Sequence, residues 1–117
     1  MFPDHFSDLL GKIFYAASLA DKVIRPEEIE AFEKLIAEDW KDDRIIQSFF
    51  ECINLNYDRK KVIEDVVFHR IQYPELFDPE TNKLIVDTAY RIVNASTGTN
   101  KSEIVFISQL TNALKSK

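Results

Sequence analysis

Apolar residues recur along this chain at the three- and four-residue spacing of one α-helical face. In the first segment this spacing connects Phe6, Leu9, Leu10, Ile13, Phe14, Ala17 and Ala20. The same spacing returns in five further segments, which begin near residues 26, 45, 58, 79 and 101, and the last of them ends near residue 115. No segment shows the strict alternation that is typical of a strand. The pattern therefore predicts an all-α protein of about six helices.

Proline and acidic residues mark where several of these helices begin. Pro26 is followed by Glu27 and Glu28. The run Asp78-Pro79-Glu80 combines an N-cap residue, a proline suited to the first helical position and an acid that favours the helix dipole. The connections are short, and no linker or low-complexity stretch separates the helices. We expect a single domain over residues 1–117, built as one compact helical bundle.

Composition narrows the class of protein and its compartment. The chain has 117 residues, of which 45% are hydrophobic, and only two glycines. Phosphate-binding loops need several glycines, so the P-loop and the dinucleotide-binding fingerprint are excluded. The single cysteine, Cys52, has apolar neighbours, which predicts a buried thiol in a reducing, cytoplasmic environment. A signal-peptide pattern and an apolar stretch of ~20 residues are both missing, so direct membrane insertion is not expected.

The net charge of −5 comes from one region. Residues 21–43, the acidic segment, contain nine acids and four bases, which accounts for the whole excess. This segment is interpreted either as a solvated helix face or as a surface for a basic partner. Trp40 interrupts its polarity, and either closes the end of the core or serves as an exposed interface anchor. Basic residues cluster only at Arg59-Lys60-Lys61, so nucleic-acid binding is not expected.

The residue types that carry catalysis are scarce. Two histidines and one cysteine do not form a nucleophile, a base and an orienting third group. Asp65 and His69 stand four residues apart on a predicted helix and are interpreted as a surface salt bridge. A di-iron site would need Glu-x-x-His on two helices, and the chain has no such pair. The sequence therefore predicts that this protein is not an enzyme.

The chain also contains an internal repeat at a spacing of 75 residues. The shift superposes the first helix–loop–helix on the last. It gives five identities over the 21 positions from 15 to 35: Tyr15 with Tyr90, Ala20 with Ala95, Glu28 with Glu103, Ile29 with Ile104, and Leu35 with Leu110. In both copies a helix ends in a small residue, a short loop follows, and the next helix carries a glutamate in its first turn.

In this element the sequence resembles the tellurite-resistance TerB-like domain family. The resemblance lies in residues 20–29, Ala-Asp-Lys-Val-Ile-Arg-Pro-Glu-Glu-Ile, and in residues 95–104, while the helical layout extends it along the chain. Relatives of that family include the N-terminal domain of a membrane-anchored DnaJ-type co-chaperone. The resemblance implies a non-enzymatic domain that acts in a stress-response or membrane-associated assembly.

The resemblance also implies a divalent-cation site, for calcium or magnesium, formed by Asp21, Glu28 and Glu103. Ser96 stands where the family has its second aspartate, and its hydroxyl would be a weaker, neutral ligand. Lys22 replaces the glycine that usually follows the first aspartate. The first copy therefore lacks the family's glycine, and the second lacks its aspartate.

The same glutamates have a purely structural explanation. If Pro26 is the first helical residue, Glu28 is the third and can accept a hydrogen bond from the N-cap amide. By the same count Asn100 caps the last helix and Glu103 is its partner. Two functions remain open: divalent-cation binding by a TerB-like domain, or a metal-free interaction module. In the second, the acidic segment and Trp40 dock a protein partner or a second copy of the chain.

Overall fold

Six α-helices and no β-strand are found in the residues that the structure describes. This computed structural model describes residues 2–19, 24–95 and 101–115, with the backbone alone at residues 101–103. The helices are α1 Asp4–Ser18, α2 Pro26–Leu35, α3 Asp43–Leu55, α4 Lys60–Gln72, α5 Pro79–Val93 and α6 Lys101–Lys115. A π-helical turn, Ile36–Trp40, follows α2, and a 3₁₀ turn, Pro74–Leu76, precedes α5. The all-α prediction is confirmed.

The helix starts follow the predicted signals. Pro26 is the first residue of α2, and the Asp78 carboxylate accepts a hydrogen bond of 2.8 Å from the Thr81 amide at the start of α5. Asp58 accepts a 2.9 Å bond from the Lys60 amide where α4 begins. Asn56 instead ends α3 in the left-handed conformation, with φ 52°. Asp58 therefore stands at the start of α4, and Asn56 belongs to the end of α3.

The first helix lies at the centre of the bundle. Eleven of the fifteen residues of α1 are buried, which means that almost its whole circumference is covered by other helices. It packs most closely against α3 and α5, and it also contacts α2, α4 and α6. The Cα radius of gyration is 12.8 Å, close to the roughly 13 Å expected for a compact domain of this length.

Helices α1 and α3 approach each other closely around Gly11. The Ser48 hydroxyl donates a 2.8 Å hydrogen bond to the backbone oxygen of Asp8. A Cβ atom added to Gly11 would lie 2.9 Å from the Ile45 oxygen and would overlap the Ser48 side chain. Glycine is therefore required here by the contact between two helices.

The π-helical turn carries Trp40 into the core. Its last bond runs from the Lys41 amide to the Ile36 oxygen at 2.6 Å, and Lys41 ends the turn with φ 53°. Trp40 is only 8% exposed and its indole nitrogen donates to the Thr88 hydroxyl at 3.1 Å. The indole also packs against Phe14 at a ring distance of 5.9 Å. Trp40 closes the core, and its interpretation as an exposed interface anchor is wrong.

The 75-residue repeat reappears in the helix bounds. The shift carries both ends of α1 onto those of α5, and the first residue of α2 onto that of α6. All five buried residues of α5 match positions that are buried in α1. The environments nevertheless differ, since Tyr15 is 1% exposed and its counterpart Tyr90 is 55% exposed. The reason is position: α1 is surrounded by helices, whereas α5 has one face in solvent.

Candidate functional site

The predicted cation site is only partly covered by the structure. Asp21 and Ser96 lie outside the described residues. Glu103 belongs to the first turn of α6, and its side chain also lies outside the described part of the chain. Glu28 alone is described in full. The cation site therefore stays a prediction.

Glu28 caps the start of α2 from inside the protein. It is fully buried, and its Oε1 atom accepts a 2.9 Å hydrogen bond from the Arg25 amide, which is the N-cap amide. Pro26 is the first helical residue, so Glu28 is the third. The predicted capping role is confirmed. A carboxylate at this end also interacts favourably with the helix dipole.

Across residues 2–19, 24–95 and 104–115, no three histidine, cysteine, aspartate or glutamate side chains form a group that could hold a metal ion. The acids of the acidic segment are instead spread along an outer surface. Six of them are exposed: Glu27, Glu30, Glu33, Glu38, Asp39 and Asp43. This agrees with the solvated-face interpretation, and the same exposure leaves the surface open to a basic partner.

The predicted salt bridge between Asp65 and His69 is wrong. Asp65 accepts a hydrogen bond from the Tyr57 hydroxyl, and its Oδ2 atom lies 3.8 Å from Lys12 Nζ. Burial, and then the bond to Asp65, raise the pKa of Tyr57. His69 contacts α1 instead, where its Nε2 lies 2.8 Å from Nδ1 of His5. Spacing along one helix could not reveal either partner, because both lie on other elements.

The predicted burial of Cys52 is confirmed. It is buried, and burial raises the pKa of its thiol to about 11. A thiol with that pKa is almost entirely protonated at neutral pH, and the protonated form is a poor nucleophile and metal ligand. Cys52 is therefore a core residue.

The structure's candidate site is a groove between α4 and α6, with a volume of about 900 Å³. Its apolar part is formed by Ile63 and Val67 of α4 and by Val105 and Phe106 of α6. At its far end Arg70 Nε donates to the backbone oxygen of Ala113 at 2.9 Å, which holds the two helices together. The groove therefore has walls that are joined at one end.

Helix α4 is unusual because it has apolar residues on two sides. Val62 and Val66 are buried in the core. Phe68 and Ile71 lie on the outer side, where they are 63% and 70% exposed. By helical spacing, Ile71 continues the line of Val67 along the groove edge. The groove thus opens onto an apolar strip that the described part of the chain leaves uncovered.

The polar rim of the groove has charge of both signs, with an excess of cations. Arg59 and Lys60 line it at the start of α4, and Glu64 lies one turn further along. On the α6 side the rim is uncharged, with Gln109 and Asn112. A ligand that spans this groove would meet apolar side chains in the middle and two cations at one end.

Sequence reasoning missed this site because it interpreted the apolar spacing of each helix as a single inward face. A signal was present in the sequence: Ile63, Val67, Phe68 and Ile71 widen the apolar arc of this helix beyond one face. Which helix forms the opposite wall depends on the packing of α6 against α4, and periodicity does not specify that.

No helix in the described residues combines the length and the apolar character needed to cross a bilayer. A comparison of the chain with protein-family models, with curated proteins and with solved structures finds no match. The resemblance to TerB-like domains therefore rests on residues 20–29 and 95–104 and on the helical layout.

Proposed function

We propose that this chain is a protein-interaction module whose α4–α6 groove binds an amphipathic helix of a partner protein. The observation that carries the proposal is the uncovered apolar strip of α4 beside a groove of about 900 Å³. Recognition of an amphipathic helix by an apolar groove is a recurrent mode of protein binding. In this proposal the partner helix binds to α4 and α6, and Trp40 takes no part in binding.

Charge specifies which kind of helix fits best. Arg59 and Lys60 stand at one end of the groove, and Glu64 is its one acid. A partner helix with acidic residues at the end next to Arg59 and Lys60 would gain favourable interactions, and a basic one would be repelled there. The partner is therefore an amphipathic helix with an acidic end.

The test uses two synthetic 18-residue amphipathic peptides with the same leucine positions, one with glutamate and one with lysine at its polar positions. Binding is measured by calorimetry, and the contact surface by NMR shifts of the labelled protein. We expect the glutamate peptide to bind more tightly and to shift the amides of α4 and α6. Equal binding of both peptides, or shifts confined to other helices, would contradict the proposal.

Paired variants separate the groove from the rest of the surface. Val105 lines the groove and is 46% exposed, so Val105→Glu should fold and should weaken binding of the glutamate peptide about tenfold or more. Leu55→Glu is the control, since Leu55 is 75% exposed on α3 and lies outside the groove.

A second pair of variants tests the role of charge. Lys60→Glu should weaken binding of the glutamate peptide about 3- to 10-fold. Lys61→Glu, an exposed neighbour that does not line the groove, should have little effect.

Self-association is the alternative occupant of the groove. Sedimentation of the protein at micromolar to millimolar concentration measures it directly. A dimer that Val105→Glu dissociates and Leu55→Glu does not would show that a second copy covers the groove, and the proposal of a foreign helix would then be wrong.

A second proposal is divalent-cation binding through Asp21, Glu28, Glu103 and Ser96, as the resemblance implies. What supports it is that α2 and α6 begin at positions related by the same 75-residue shift that aligns the two motifs. The test is a thermal melt with calcium or magnesium. At 100 times its dissociation constant a cation adds about 2.7 kcal/mol of stability. A stabilisation that persists in Glu28→Gln/Glu103→Gln, or no stabilisation of the wild type, would contradict it.

A further inference from the structure

A second hollow lies on the opposite side of α6 from the α4–α6 groove. It has a volume of about 600 Å³ and is bounded by the C-terminal part of α6, the first half of α5 and the 3₁₀ turn before α5. Residues 111, 114 and 115 of α6 face it, whereas residues 105, 109 and 112 face the groove. The two sets lie on opposite sides of a helix with 3.6 residues per turn. This hollow is called the α5–α6 pocket below.

The pocket has an apolar floor. Phe77 and Leu114 are buried members of the core, and Val86 is partly buried against it. Pro74 and Pro79 form the wall near the 3₁₀ turn. A concave apolar site of several hundred Å³ with few polar groups is typical of a small-molecule site.

Three cations surround this floor. Arg70, Lys83 and Lys115 line the pocket together with a single acid, Asp87. Within the described residues none of the three forms an ion pair. Arg70 uses its Nε for the Ala113 oxygen, which fixes the position of the guanidinium. The excess of two positive charges over an apolar floor favours a ligand with an anionic head and an apolar body.

Asn82 joins two walls of the pocket. Its Nδ2 donates to the backbone oxygens of Phe77 at 3.0 Å and of Leu114 at 3.3 Å. These two acceptors fix the orientation of the amide, because a flipped amide would bring its oxygen against both carbonyls. Its Oδ1 is buried and receives no hydrogen bond from the described residues. The two Asn82 bonds therefore hold the end of α6 against the start of α5 beside the pocket.

We propose that the α5–α6 pocket binds a small amphipathic anion with two chemical features. An apolar body lies on Phe77, Val86 and Leu114. An anionic head group, carboxylate or phosphate, lies among Arg70, Lys83 and Lys115. This site is separate from the α4–α6 groove, and its occupation does not depend on the function proposed for that groove.

The probe for this site is 8-anilinonaphthalene-1-sulfonate, which combines an aromatic body, an anionic head and an N–H group. N-phenyl-1-naphthylamine is the matched control, because it keeps the aromatic body and the N–H group and lacks the sulfonate. We expect the anionic probe to bind at least tenfold more tightly than the neutral one. Equal affinity for the two probes would overturn the proposal, since it would mean that the sulfonate contributes nothing and that only apolar contact drives binding.

Variants locate the bound probe. Lys83 is exposed, so Lys83→Glu should leave the fold intact and weaken binding of the anionic probe about 5- to 10-fold. Lys61→Glu makes the same change of charge outside the pocket and should have little effect. Val86→Trp fills the pocket and should abolish binding of both probes, with folding checked by circular dichroism. If neither Lys83→Glu nor Val86→Trp changes binding, the assignment of the pocket is wrong.

Two further measurements complete the test. Val105→Glu alters only the α4–α6 groove and should leave probe binding unchanged; if it abolishes binding, the probe lies in the groove and the pocket proposal fails. Decanoate and decyl phosphate then compete with the probe. Displacement by one identifies the preferred head group, displacement by both supports a general anion site, and displacement by neither overturns the proposal.

Discussion

Gly11 is the residue at which a change of one methyl group has the clearest consequence. The axes of α1 and α3 approach closely at this point, where Ser48 bonds to the Asp8 oxygen at 2.8 Å. Any Cβ at position 11 would overlap Ser48. The sequence alone does not show that glycine is required at position 11. A glycine within an apolar helical pattern normally only weakens the prediction of a helix.

We expect Gly11→Ala to destabilise the protein by about 1–3 kcal/mol, the usual cost of overpacking. This outcome opposes the helix propensity of alanine, which on its own would stabilise α1 by about 1 kcal/mol. Urea unfolding followed by circular dichroism measures the change. Adding Ser48→Gly to Gly11→Ala should recover part of the loss, since it removes the overlapping Cβ. A Gly11→Ala protein as stable as the wild type would show that the two helices can separate at no cost.

At the scale of the elements, local signals predicted the helices and missed the irregular turns. Pro26 and the Asp78-Pro79-Glu80 run locate the starts of α2 and α5 because N-terminal capping depends on residues within one turn. The π-helical turn at Ile36–Trp40 was not predicted. A π-helical turn inserts one residue into the helix, and its hydrogen bonds are less favourable than those of an α-helix. The burial of Trp40 offsets this cost, and burial depends on tertiary packing that the local sequence does not show.

The stability of helix α2 tests the cap that Glu28 forms with the Arg25 amide. Glu28→Ala removes the acceptor of the Arg25 amide and leaves a space in a buried site, so we expect a loss of about 1–3 kcal/mol in the free energy of unfolding. Glu28→Gln keeps an acceptor oxygen and should lose less. Thermal and urea unfolding of the two variants gives the comparison. Equal losses would mean that the charge of Glu28 matters and the shape of its cap does not.

At the scale of the whole molecule, sequence periodicity specified that there is one bundle and left open which helices are neighbours. The core residues predicted for α1 are all buried where the structure describes them, since any bundle would bury that face. The α4–α6 groove and the α5–α6 pocket depend instead on which helices meet. Val67 and Val105, or Arg70 and Lys83, become neighbours only through the tertiary arrangement.

The contact between His5 and His69 joins the first turn of α1 to the last turn of α4, and it predicts a dependence of stability on pH. Burial lowers the pKa of His69, and neighbouring His5 and Lys12 lower it further, while Asp65 opposes them. Tyr73 also packs against the His69 ring at 5.4 Å. Because the folded pKa lies below the unfolded one, the unfolded state binds protons more readily between the two values. His69 therefore contributes stability that is fully present above its unfolded pKa, about 6.5, and is lost as the pH falls through the folded value.

The measurement is the urea midpoint of the wild type and of His69→Gln at pH 7.5 and at pH 5.5. We expect the midpoint of the wild type to fall more between these pH values than that of the variant. The carboxylates titrate in both proteins. The difference between the two proteins in the change of urea midpoint with pH therefore isolates the contribution of His69. Parallel slopes would mean that His69 is protonated equally in the folded and unfolded states.

The central position of α1 has a consequence for synthesis on the ribosome. This helix emerges before the elements that cover it, and α5, one of its two closest neighbours, ends 75 residues after α1 does. At about 5–20 residues per second, that interval lasts roughly 4–15 s. During those seconds α2 and α3 can already pack against α1, whereas the side of α1 that faces α5 stays uncovered. The nascent chain thus presents one apolar side of α1 to solvent for far longer than helix formation itself takes, and α1 is the segment at which a holding chaperone would act.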